Sequence, residues 1–297
     1  MSLSKRVVFR ASFLALWAVA MTTVTVVLGA PPLRILRLVM GRVFYWLSVV
    51  GLSLALFGVG WKALALLFLM LAVLVGFYSE LLEREWTPLS SSAVSLSVTI
   101  LFGGISFGLW IMLQEQGWYP KLVKTIEASF GQSPLLNSSL KVSIEDLLLQ
   151  APSGFVVLMV VAVALLLLME PRLKEWAGVK NRASLQYLRE FRLPDVFVWI
   201  TILSMLGSFV QIDIKWLQVL SMNVLNICVL LYFFQGLAVV VHVFDWMKVS
   251  AFWKTLWLVL IVLQLFLIVS AVGIIDYWID LRQRLKKKPT EANNKTL

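Results

Sequence analysis

From Trp216 to Phe244 the chain carries no Asp, Glu, Lys or Arg. A helix of that length in water shows a polar stripe at every turn. One surrounded by lipid is apolar all round, because its backbone hydrogen bonds close within the segment. With the run at 217–244, seven further apolar runs, 11–30, 43–60, 63–79, 89–113, 152–169, 196–210 and 255–275, repeat the pattern. The fold class that follows is all-α, a polytopic transmembrane helix bundle of six to eight membrane segments. The runs 43–60 and 63–79 are separated by little more than Trp61 and Lys62 and predict a tight hairpin. The run 196–210 is at the short limit for a span and is open to a re-entrant or tilted reading.

Hydrophobic residues make up 60% of the sequence and charged ones 14%, more apolar surface than a globular domain of 297 residues buries. The hydrophilic stretches 114–151 and 170–194 are too short for cores of their own, so the expectation is a single membrane domain over 1–285 with a basic cytoplasmic tail at 286–297. In the first of these stretches, Tyr119–Phe130 and Val142–Gln150 read as amphipathic helices lying on the membrane surface.

The formal net charge is +10, concentrated in clusters beside the apolar runs, including Lys5, Arg6 and Arg10, then Arg34, Arg37 and Arg42, and the tail after Asp280. Such clusters set topology and attract anionic lipid, so the lipid bilayer is the expected partner and nucleic acid is not. The positive-inside rule puts both termini in the cytoplasm, with the first run retained as a helix. With eight simple crossings, however, the loop 170–194 and the Arg34–Arg42 cluster would both face outward, so some runs are expected not to cross.

No catalytic constellation is visible, and the chain does not read as an enzyme. Its one histidine, His242, and one cysteine, Cys228, lie 14 positions apart in one helical run, about 21 Å along the axis. No metal-ligand cluster and no phosphate-binding glycine loop occurs, so no cofactor or metal is expected. Polar residues inside apolar runs are the better lead, since each must be sheltered from hydrocarbon. They are Asn223, Asn226, Gln235 and His242, with Asp276 at the edge. We take these as a candidate substrate-binding set for an unidentified small molecule, with hydrogen bonding between helices as the competing reading. Asp276 and Asp280 would share one helix face, with Arg284 four residues beyond Asp280 as its helix partner. Ala11 and Ala15, small residues four apart, form a candidate partner-docking stripe on the first helix.

Three short motifs carry a resemblance. They are Phe191-Arg192-Leu193-Pro194 entering an apolar run, Asn226 followed by Gln235-Gly236-Leu237, and Gly273-Ile274-Ile275-Asp276 with Asp280-Leu281-Arg282. In order and spacing this segment resembles the YybS-like family of bacterial integral membrane proteins. That family is distantly similar to the substrate-capturing S components of energy-coupling-factor transporters. The resemblance implies a small-solute-binding subunit without its own ATPase, working with a coupling subunit and ATPases, and docking through a small-residue stripe such as Ala11 and Ala15. The alternative is a non-transporting membrane scaffold that binds partner proteins through helix faces and a basic tail.

Overall fold

The computed structural model describes residues 5–113, 117–130, 144–179, 185–209 and 214–284. All regular elements among them are helical. In chain order they are α1 (Lys5–Val24), a 3-10 turn at Val26–Gly29, α2 (Ala30–Gly58), α3 (Lys62–Glu83), α4 (Pro88–Met112), α5 (Trp118–Phe130), α6 (Ile144–Leu149), α7 (Ala151–Trp176), α8 (Gln186–Arg189), α9 (Val196–Phe209), α10 (Lys215–Trp246), α11 (Ala251–Gln264) and α12 (Phe266–Ile279). Five segments are long and apolar enough to cross a membrane: Val26–Gly58, α3, α4, α7 and α10. The pair α11–α12, bent by 101°, makes a sixth if taken as one. The protein is thus an all-α polytopic bundle. The basic tail expected at 286–297 and the start of the second surface helix lie outside the described residues.

The chain divides into two compact units, Met1–Leu148 with Gly154–Ser184, and Leu149–Ser153 with Leu185–Leu297.

In the first unit, Pro31 and Pro32 open α2, where their missing N–H groups cost nothing. The helix breaks at Gly41, whose φ of 76° suits a residue without Cβ. Its two halves live in different solvents. From Ala30 to Arg37 every residue is buried, so this short piece is packed by protein on all sides. After Gly41 only Tyr45, Val49 and Leu56 are buried, a stripe directed inward, while Phe44, Leu47, Leu54 and Phe57 face outward as lipid allows. Gly60, at φ 94°, turns the chain into α3, giving the hairpin expected from the sequence. Gly76 is needed there because Trp46 and Tyr45 lie against it.

In the second unit, α9 has 14 residues, about 21 Å, and is too short to cross a hydrocarbon core of about 30 Å upright. It packs along α10, with Gly207 against Ser221. α11 and α12 form a V with its vertex at Leu265. Lys254 in the first turn of α11 pairs with Asp245 in the last turn of α10, and Asp245 also pairs with Arg189. Just after α12, Asp280 pairs with Arg192, and Arg282 reaches the carbonyl of Phe191. Through these contacts α11 is held at the last turn of α10 and the end of α12 at the segment Phe191–Leu193, and the apolar run 255–275 is a helix pair broken at Leu265.

Candidate functional site

The segment Phe191–Pro194 has no regular structure and joins α8 to α9, with Leu193 beside Gln235 of α10. Hydrocarbon tolerates such backbone only where its polar groups find protein partners. Gln235 supplies one: its side-chain oxygen accepts from the Leu193 N–H at 3.0 Å, and its amide nitrogen donates to the Gly273 carbonyl at 3.0 Å. Arg282 supplies another, donating to the Phe191 carbonyl at 2.9 Å. The same guanidinium grips Asp276 through Nε at 3.1 Å and Nη2 at 2.7 Å, both to Oδ2. The second oxygen of Asp276, Oδ1, is buried and meets no donor among the described residues. Arg192 donates to Asp280 at 2.8 Å. The three motifs singled out in the sequence thus interlock through one set of hydrogen bonds, tying α12 and the segment Phe191–Pro194 to α10.

Asp276 and Asp280 do not share a helix face. Asp280 takes φ 49° and ends α12, so its carboxylate turns to Arg192 and Asp276 pairs with Arg282. The i,i+4 partnership with Arg284 does not form.

The other polar residues of α10 lie apart from this set. Asn223 Oδ1 accepts from the Ser153 N–H at 2.8 Å, and Nδ2 donates to the carbonyls of Leu149 and Val219 at 2.8 Å each. Asn226 donates to Ser153 Oγ at 3.2 Å and to Gln150 Oε1 at 3.4 Å. Together they hold the first turn of α7, where N–H groups otherwise lack partners. His242 bonds the carbonyl of Ala238 on its own helix. Asn223 and Asn226 therefore come together, Gln235 and Asp276 come together through α12 and Arg282, and His242 stands alone. Ala15 is buried, and the side chain of Ala11 lies outside the described residues.

A second cluster, in the first unit, was not singled out from sequence. Arg34 and Arg37, read there as topology-setting charges, are buried within the bundle. Arg34 forms a two-point bond with Glu170, Nε to Oε2 at 3.1 Å and Nη2 to Oε1 at 2.6 Å, and lies over the Tyr78 ring at 5.6 Å. Lys174 adds a contact to Glu170 at 3.5 Å. Arg37 donates through Nη2 to Glu83 at 2.9 Å, and its buried Nε meets no acceptor among the described residues. Arg42 and Trp46 both donate to Glu80, at 3.1 and 2.9 Å. The available signal was Glu170 at the very end of an apolar run. Its partner lies 136 positions away, a separation that no helical periodicity reports. The ends of α3 and α7 are thereby brought to one end of this unit. No group of three or more potential metal ligands occurs among the described residues.

No curated protein and no solved structure matches the chain. The model of one family, described as a predicted membrane protein, DUF2232, matches residues 7–277. The match takes in Arg34, Arg37, Glu170, Gln235 and Asp276 and stops short of Asp280 and Arg282, and the chain belongs to this family of membrane proteins.

Proposed function

We propose that this protein is the solute-binding membrane subunit of a transporter, energised by separate coupling and ATP-hydrolysing subunits. One observation carries the reading. Arg34, Arg37 and Glu170 are each at most 3% exposed inside helices that face lipid elsewhere. Charged groups held inside a membrane bundle are costly and mark solute or ion sites. The interrupted elements support the same reading: the short buried piece ending at Gly41, and the V of α11 and α12, are the kind of broken helices from which membrane transporters build binding sites. The sequence offers no nucleotide-binding loop, hence the separate energy source. Asn223 and Gln235, whose amides are engaged with backbone, serve as framework in this reading, and the solute is held in the first unit.

Native mass spectrometry of the gently extracted protein tests this. A small molecule should accompany the wild type and be lost from Arg37→Met, while coupling and ATPase subunits remain. Co-purifying proteins without any small molecule would favour the scaffold reading and remove the transport one.

A further inference from the structure

Arg34 and Arg37 lie three residues apart on the same buried helical piece, and they use the same edge of the guanidinium differently. On Arg34 the Nε and Nη2 donors both bind Glu170, filling the fork with two parallel bonds. On Arg37, among the described residues, Nη2 binds a single oxygen of Glu83, and the adjacent Nε is buried and meets no acceptor. A guanidinium edge is matched by a planar carboxylate or by two phosphate oxygens, and leaving half of it bare in a low-dielectric interior is unfavourable. The two partners also differ in exposure. Arg37 is 2% exposed, whereas the Glu83 side chain is 58% exposed at the last residue of α3, so the pair is open on the Glu83 side. Glu170, by contrast, is enclosed and further held by Lys174.

We infer that Glu83 is a built-in competitor occupying an oxyanion site on Arg37, displaced when a solute presents a carboxylate or phosphate group to the Nε and Nη2 edge. This deepens the solute-binding reading and rests on it for the solute's place in the bundle. Arg34, neutralised by Glu170, stays out of the exchange and anchors the helical piece that carries Arg37. At this end of the unit four cations, Arg34, Arg37, Arg42 and Lys174, stand in ion pairs with three carboxylates, Glu80, Glu83 and Glu170, a positive balance that favours an anionic visitor. A ligand that must evict an internal competitor binds more weakly by the fraction of time the site is free. Glu83 therefore sets the affinity.

The test uses the full chain in a neutral maltoside detergent at constant ionic strength, titrated with succinate and with inorganic phosphate, and reads the midpoint of thermal unfolding. Wild-type protein should show a saturable rise. In Glu83→Gln the half-saturating concentration should fall about tenfold, since the competing charge is gone. Should that variant fail to fold, Glu83→Asp, which draws the carboxylate back by one methylene, should lower it in the same direction. Arg37→Lys, which keeps the charge but not the fork, should lose the saturable rise while remaining monodisperse. Equal half-saturation in wild type and the folded Glu83 variant, or no saturable rise with either anion, overturns the inference. Nanodiscs of phosphatidylglycerol and of phosphatidylcholine form a further arm. Stabilisation by the anionic lipid alone, lost in Arg37→Lys and with no response to soluble anions, would assign the site to a headgroup and overturn the solute form. A co-purifying solute without an acidic group, bound equally by the Glu83 variants, would sink this inference and leave the transport reading standing. The expected anion response with no co-purifying solute or subunits would do the reverse.

Discussion

Gly236 of α10 and Gly273 of α12 meet with no side chain between them. A Cβ on Gly236 would press on the Val269 carbonyl, and one on Gly273 on the carbonyl of Tyr232 and the nitrogen of Gly236. Close backbone approach of this kind replaces the hydrophobic drive that lipid removes between membrane helices. It also brings the Gly273 carbonyl within reach of Gln235.

Gly236→Ala and Gly273→Ala should each destabilise the second unit by roughly 1–3 kcal/mol, the usual range for overpacking where neither wall yields. Reversible unfolding in mixed micelles measures the loss. A change within error for either variant would show that the two helices separate without cost.

Replacing Gln235 by Leu keeps the volume but strips partners from the Leu193 N–H and the Gly273 carbonyl. A buried polar group left unmade costs about 1–3 kcal/mol. The expected signature is a lower unfolding midpoint together with faster hydrogen exchange at the Leu193 amide. Solute binding at the first unit should persist in whatever folded fraction remains, which separates a framework role from a ligand-contact role.

The Arg34–Glu170 pair should behave as a buried unit. Removing one member strands the other, so Arg34→Met and Glu170→Met alone should cost about 3–5 kcal/mol each, while the double replacement recovers much of the loss. A double-mutant cycle on unfolding free energy reads this directly. Additive losses would mean that the two side chains do not depend on each other.

Sidedness follows from Arg34 and Arg37 together, because on one helical piece they hold Glu170 near the end of α7 and Glu83 at the end of α3. In a Cys228→Ala background, cysteines placed at Glu85 and Val179 should react with an impermeant maleimide from the same face, and one at Gly60 from the opposite face. By the distribution of Arg and Lys that shared face is expected to be cytoplasmic. Labelling of positions 85 and 179 from opposite faces would contradict the arrangement.

Arg34 and Arg37 fall between the counted runs 11–30 and 43–60, in a piece of α2 that is enclosed from Ala30 to Arg37, so charge counting by runs did not separate them from loop residues.

The sequence by itself determined that this chain is a helical membrane bundle, because hydrocarbon accepts only segments that close their own backbone hydrogen bonds and such segments are visible as long charge-free runs. It also picked out Gln235, Asn223, Asn226 and Asp276 as groups needing shelter. Only the tertiary structure decided what shelters them and which charges are enclosed. Gln235 answers a backbone amide 42 residues away, and Arg34 finds its carboxylate 136 residues away. Pairings over such distances depend on how helices pack side by side, which local periodicity does not encode.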